Sequence, residues 1–553
     1  MEKVDSSKLE AGVVAVDAAS IKSSENSAVP DDSKYATTSA AHRHLESYHV
    51  NLIAMGGSIG TATFVYIGSG LTSAGPLGLL LGYTWWTVVI YIVAMCQMEM
   101  VTFWPTDMAF ARNAARYIDD AWGVCAGWCF WTQVTCTIAY EVTAATIVID
   151  YWPAALAVHP AVFISIILVT YFLMNIWDSR YFGHAEFGFS IAKILLSFGL
   201  LAFTFITMVG GNPVHDKFGF RYWREPGLFA DPYPAHGKTL SNFEAFLSAT
   251  RNAAFTVCGP EYITSIAGEA RSPRTVMPKA FRSIIWRLVL FFIGGALSVG
   301  ILVPYNSTEL LNAISTGAAG AAKSPYVVAM NRLRIHALPH IINAVILSSI
   351  YSAGNAYVFL SARGLAQMAR DGYAPKILSR RNRRGVPWIA VCVVGVVSLV
   401  SYCQVASSAQ IAITWITSLV TANTLMTSAS FVFTWIKFDR GMKAQGIPRS
   451  SLPARSRILP YAAYFALPCQ LFVILMQGYP VFLKGGWDVS TFIQSYLPVA
   501  AFPILFVVWK FIKKTKWKRS ADIDFVTYID DPAFDDQPDE NRSRLHRFLK
   551  RVF

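Results

Sequence analysis

Apolar residues run along this chain in long blocks separated by polar loops. About twelve blocks are long enough to cross roughly 30 Å of hydrocarbon at 1.5 Å per residue. They fall near 51–72, 77–101, 123–151, 161–178, 187–209, 243–266, 284–304, 338–369, 386–405, 409–436, 460–482 and 491–512. The pattern predicts an all-α polytopic membrane protein with about 12 transmembrane helices. Residues 1–49 lack an apolar block and read as a disordered cytosolic tail. Residues 50–512 form the membrane domain, and 513–553 read as a second, largely disordered cytosolic tail.

Two blocks are built to break. Met55-Gly56-Gly57-Ser58-Ile59-Gly60-Thr61-Ala62-Thr63-Phe64 is too glycine-rich for an uninterrupted helix, since each interior glycine costs about 1 kcal/mol relative to alanine. In the sixth block, Phe255-Thr256-Val257-Cys258-Gly259-Pro260-Glu261 carries a Gly-Pro step that stops a helix by removing a donor and crowding the preceding turn. Broken backbone in a bilayer leaves polar groups that only protein or a polar ligand can satisfy. Spans one and six lie five apart and cross in opposite senses, as in transporters built from two inverted five-helix halves. Free N–H groups at a half-helix start attract a carboxylate, and free carbonyls at a half-helix end attract an ammonium. A zwitterionic amino acid matches both.

Composition agrees with lipid as the main solvent: of 553 residues 54% are hydrophobic and only 15% charged, and mean hydropathy is +0.40. The net charge of +13 reflects loop residues rather than a nucleic-acid surface. Arg112, Arg116, Arg180, Arg271, Arg274, Lys279, Arg282, Arg370, Lys376, Arg380 to Arg384, and Lys437 to Arg457 fall on the side of the N-terminus. The opposite loops hold only about eight basic residues, which places both termini in the cytosol. The eight cysteines all lie in apolar stretches and read as core residues rather than disulfides or metal ligands. No phosphate-cradling loop, metal spacing or Ser-His-Asp arrangement supports an enzyme, an ATP-driven pump or a need for a cofactor.

Gly57-Ser58-Ile59-Gly60-Thr61 resembles the first-helix signature of the amino acid–polyamine–organocation superfamily, and Phe255 to Glu261 with Ala267-Gly268-Glu269-Ala270 resembles its sixth. Ser352-Ala353-Gly354-Asn355-Ala356-Tyr357, Arg370-Asp371-Gly372-Tyr373-Ala374-Pro375-Lys376 and Lys443-Ala444-Gln445-Gly446-Ile447 are similar to the fungal amino acid permeases, the yeast amino acid transporter group. The resemblance implies a LeuT-like 5+5 inverted repeat, repeat one over 51–209 and repeat two over 243–436, plus two extra helices over 460–512. It implies proton-coupled amino acid uptake at the fungal plasma membrane. It gives a substrate carboxylate to Thr61 and the backbone of Gly60 and Ala62, and the α-amino group to the carbonyls of Phe255, Thr256 and Cys258 beside Gly259. Ala62 stands where the family has glycine, and Pro260 where it has threonine. The bland alternatives are close helix packing for the glycines and a wall residue for Phe255. Trp415 is a further pocket candidate.

Ionisable groups within spans are expensive and therefore candidates for coupling. Glu141 lies deep in span three, where the family pattern also has glutamate, and must be protonated or paired. Glu261 serves either proton coupling or capping of backbone freed by the break. Lys193 lies where some superfamily members place a lysine in lieu of sodium. Burial disfavours a charged amine, so it either exchanges a proton or snorkels to the interface. Glu99 and Asp107 read as partners of loop arginines, while Arg251 selects acidic side chains or lines the vestibule. The partners expected are an L-amino acid, protons, the bilayer and, through tail lysines, ubiquitin ligase machinery. Arg542 to Arg551 is expected to touch anionic lipid. Two other functions stay open: an amino acid receptor with a transporter's fold, and a permease for another small cation such as a polyamine or choline.

Overall fold

The computed structural model describes residues 60–177, 179–232, 237–315, 324–406, 409–483 and 485–527. Gly56 to Ile59, the tail before them and Arg542 to Arg551 lie outside the described residues. Fifteen helices carry the argument: α1 (Ala62–Phe103), α2 (Ala109–Tyr117), α3 (Asp120–Ile149), α4 (Pro160–Trp177), α5 (Ser179–Met208), α6 (Lys238–Thr256), α7 (Pro260–Ser265), α8 (Pro273–Leu302), α9 (Thr308–Ser315), α10 (Pro325–Arg332), α11 (Leu338–Arg370), α12 (Trp388–Val405), α13 (Ala409–Ala444), α14 (Tyr461–Met476) and α15 (Val489–Lys513). Among the described residues eight helices are long and apolar enough to cross a membrane, joined by two shorter apolar ones, Pro160–Ile176 and Tyr461–Met476. Helix α1 folds two crossings into one helix, and the broken α6–α7 pair adds another. Among the described residues this makes an all-helical membrane protein with twelve crossings.

The turn between spans one and two is a kink inside α1. Gly75 sits at φ 75° and ψ 172°, followed by Pro76, and a Cβ there would stand 2.5 Å from the Ala230 nitrogen. The extramembrane loop repairs the interrupted helix: Ala230 N–H donates to the Ala74 carbonyl at 3.1 Å and Leu77 N–H to that of Leu228 at 3.0 Å. This backbone exchange requires glycine at 75.

Helices α1, α3, α6, α11 and α13 pack together at the centre. Their shared faces bury Trp86, Phe130, Tyr140 and Trp435. Helices α4, α5, α12, α14 and α15 form the shell and expose apolar side chains such as Val169, Leu195, Val396, Leu475 and Phe511. Water would penalise so much apolar surface at about 25 cal/mol per Å², whereas hydrocarbon does not. The eight cysteines are free, and Cys403 is exposed rather than in the core.

The basic face is tied together by ion pairs between loops and helix ends. Arg112 of α2 makes a bidentate contact with Asp371, Lys510 of α15 meets Asp119 at 2.5 Å, and Arg449 meets the buried Glu99 at 2.5 Å. Residues 514–527 are not free tail, as the sequence suggested. Lys518 N–H donates to the Ile118 carbonyl at 2.8 Å, and Phe525 lies among Phe103, Tyr117 and Phe438. Burying the spaced aliphatic and aromatic side chains Ile523 and Phe525 offsets the ordering cost.

Candidate functional site

Helix α6 ends at Thr256, Val257 is extended, and Gly259 takes φ 151°, a left-handed conformation open in practice to glycine alone. Pro260 then starts α7 at the position where its missing N–H costs nothing. The last carbonyls of α6 have no helical partner by construction. Outside the regular helical bonds, no backbone N–H of the described residues donates to those of Phe255, Thr256 and Cys258. The far end of the break is capped: a carboxylate oxygen of Glu261 accepts the Gly259 N–H at 3.2 Å. Of the two roles open to Glu261, capping is the one with a visible bond.

The other half of the site begins where the glycine-rich run ends. Gly60 precedes a π-helical turn, Ala62–Tyr66, which runs into the rest of α1. Thr61 Oγ1 donates to Glu141 Oε2 of α3 at 2.5 Å, with both residues 2% exposed. The Thr61 backbone amide also faces this carboxylate. A Cβ on Gly60 would stand 2.7 Å from Glu141 Oε1. The Glu141 carboxylate, the flexible end of a side chain, thus packs directly against the open face of this glycine.

Two cavities meet here. The inner one, about 20 Å³, is lined by Gly60, Ala62, Gln133, Glu141, Phe255 and Cys258 among others; that holds about one water. The second, about 70 Å³, lies toward the opposite face between Thr61, Tyr66, Ser69, Tyr140, Val148 and Ile413 and reaches Ile314 at the end of α9. An aromatic trio stands between them, with Phe255 edge-on to Tyr66 and to Tyr140 at 4.9 Å each. Helix α6 is pinned to α1 by Asn252, which accepts from Tyr83 at 2.6 Å and donates to the Tyr66 carbonyl at 3.3 Å.

Lys193 is not at the site but beside it. Its ammonium is 1% exposed and lies 3.8 Å from Glu186, so it does not snorkel to an interface. Arg251 donates to the Gln477 carbonyl at 2.9 Å. Trp415 is half-buried and lines neither cavity. Sequence reasoning missed Gln133, Thr137 and Tyr140 on α3, and Thr424 on α13. Their signal was present: Gln133, Thr137 and Glu141 recur every four residues, a polar stripe along an apolar span.

The sequence profile of the amino acid permease family matches residues 49–521, which takes in every residue of this site. The chain belongs to the amino acid permease family. The permease is 39% identical over 520 residues to the general amino acid permease AGP2 of Saccharomyces cerevisiae, covering 93% of this chain and 85% of that one. It is 35% identical to the proline-specific permease of the same yeast, over 87% and 78% of the two chains. It is 32% identical to the yeast dicarboxylic amino acid permease, over 94% and 84%. The family supports amino acid transport as the permease's activity, with an amino acid as its partner.

Proposed function

We propose that this permease imports amino acids across the plasma membrane together with protons, by alternating access, with both termini in the cytosol. The observation that carries the reading is the Thr61–Glu141 hydrogen bond at the start of α1. Glu141 occupies the donors that the resemblance gives to a substrate carboxylate. A hydroxyl donates one proton, so Thr61 serves one carboxylate at a time. Two carboxylates sharing the site repel unless one is protonated. Substrate entry is then linked to proton uptake by Glu141, and the linkage is reciprocal. Phe255, Thr256 and Cys258 offer carbonyls to the ammonium.

The 70 Å³ cavity, with no charged residue among the described residues of its wall, lies on the approach side of the aromatic trio and favours entry of neutral side chains, because a charge there would be desolvated without a partner. Phe255, Tyr66 and Tyr140 close the route between the faces, and rocking of one repeat against the other opens it. The positively charged loops support the assignment of the basic face to the cytosol.

The deciding experiment is uptake of radiolabelled neutral amino acids by permease-deficient cells at two pH values, with and without a protonophore. Accumulation that rises as external pH falls and collapses with the protonophore is expected. Binding without accumulation favours the receptor reading. Methyl esters competing as well as free amino acids exclude a carboxylate site and favour a simple cation as cargo.

A further inference from the structure

Helix α5 turns two charged side chains into the protein, Glu186 and Lys193, with side-chain exposures of 2% and 1%. Seven residues apart, they lie on one face about two turns from each other. Ser352 of α11 donates to both oxygens of Glu186, at 3.0 and 2.8 Å, and Lys193 Nζ stands 3.8 Å from Oε1. Breaking such a buried pair leaves an uncompensated charge, while well-packed apolar residues in its place are often as stable. Stability alone therefore does not account for it.

Position suggests what does. Helix α5 starts at the basic face, so Glu186 lies about 10 Å nearer that face than Lys193. Lys193 is within electrostatic reach of both Glu186 and Glu141, and Tyr171 of α4 faces both carboxylates. Among the described residues the groups facing Glu186 are Lys193 and Ser190 on its own helix, Ser352 on α11 and Tyr171 on α4. Lys193 is thus paired with Glu186 nearer the basic face and lies within the electrostatic influence of Glu141, the carboxylate bonded to the start of α1.

We propose that Glu186 is the station through which the co-transported proton leaves for the cytosol. The proposal rests on the proton-symport reading above. When the cytosolic side opens, the Lys193 ammonium gives a proton to the Glu186 carboxylate: an N–H bond breaks and an O–H bond forms. The Glu186 carboxylic acid passes that proton to vestibule water. The neutral Lys193 amine takes the proton of Glu141, restoring the ammonium and leaving Glu141 as carboxylate. One proton has moved from the substrate site to the cytosol; Lys193 and Glu186 have returned to their starting charges, and Glu141 is again the carboxylate it was before it took up the proton. Ser352 is a positioning residue, holding the carboxylate toward Lys193.

The test uses the full chain in proteoliposomes, measuring uptake driven by a pH gradient and, separately, exchange of labelled for unlabelled substrate without a gradient. Glu186→Gln keeps the shape and removes the proton acceptor. Gradient-driven uptake is expected to fall by roughly tenfold or more, with exchange within about twofold of wild type and Glu186→Asp restoring part of the loss. Wild-type uptake indifferent to the gradient defeats the symport reading itself. Coupled wild type with unchanged gradient-driven uptake in Glu186→Gln overturns the role of Glu186, as does equal loss of exchange and uptake in well-folded protein. Should Glu186→Gln fail to fold, Ser352→Ala decides: a displaced pH profile with intact exchange supports the relay, and an unchanged profile overturns it.

Discussion

Thr61 and Glu141, on different helices and 80 residues apart in sequence, are joined by a 2.5 Å hydrogen bond with both residues enclosed. The bond ties the start of α1 to α3, where the Thr61 hydroxyl and backbone amide are both turned to an anion. Its consequence is competition. Whatever carboxylate binds at the start of α1 takes donors from Glu141, and the displaced carboxylate must acquire a proton or another partner.

Removing the hydroxyl therefore affects substrate and proton together. A hydrogen bond to a charged group contributes about 1.5–3 kcal/mol, roughly a ten- to hundredfold change in affinity. Thr61→Ala is expected to raise KM by about that factor and flatten its pH dependence, while Thr61→Ser stays near wild type. Initial uptake rates across a pH series check this. Equal KM values in the alanine and serine variants would remove Thr61 from the site.

Gly60→Ala is expected to abolish uptake without unfolding the protein. The added Cβ would stand 2.7 Å from Glu141 Oε1 and 3.3 Å from the Ala353 Cβ. The carboxylate is the end of a flexible side chain, so the methyl displaces Glu141 rather than α11. Combining Gly60→Ala with Glu141→Ala removes the clash, and substrate binding, though not coupling, should return relative to the single variant. Thermal stability and ligand binding of both purified variants measure the two effects separately. No recovery in the double variant would show that the methyl itself blocks the substrate.

The break in span six was legible because glycine and proline act locally: Gly259-Pro260 stops α6 whatever surrounds it. The depth of Glu141 and its need for a partner were legible too, since a glutamate amid apolar neighbours has few options. Its partner was not, because Thr61 lies 80 residues away and only helix packing brings the two together. Glu186 escaped notice for a similar reason. It sits at the polar entrance of span five, where a surface glutamate would also be found, and only Ser352 and Lys193 show it to be enclosed. The folded segment 514–527 was hidden by composition, six basic residues between 510 and 519 masking the apolar anchors Ile523 and Phe525 that follow.

Phe255 separates the two cavities, so shortening it should join them. Phe255→Ala is expected to increase labelling of Cys258, which lines the inner cavity, by a membrane-impermeant thiol reagent added from outside. With the other seven cysteines replaced, the labelling rate should rise by roughly tenfold and accumulation fall, as occlusion is lost. A substrate with a bulky side chain should slow the labelling by filling the gap. Labelling no faster than in the parent would show that the barrier lies elsewhere.

The segment 514–527 should undock in acid and on loss of its aromatic anchor. Burial pushes the Asp524 carboxyl up, but the Thr527 and Val526 amides and Arg116 outweigh it and hold the group below the usual aspartate range. A carboxylate depressed on docking contributes its stabilisation at pH values above its free value and loses it as pH falls through the docked one. Protection of this segment from proteolysis should be constant from neutral pH down to about 5 and disappear below the ordinary aspartate range near about 4. Asp524→Asn should lack that acid transition. Phe525→Ala removes a side chain held among Phe103, Tyr117 and Phe438, and truncations of buried phenylalanine cost about 3–5 kcal/mol. That exceeds what a short surface segment can spare, so the variant should be cleaved within 514–527 even at neutral pH, while the membrane core stays intact. Limited proteolysis followed by mass mapping reads both outcomes, and a fully protected Phe525→Ala segment would mean that the ion pair, not the aromatic anchor, holds it down.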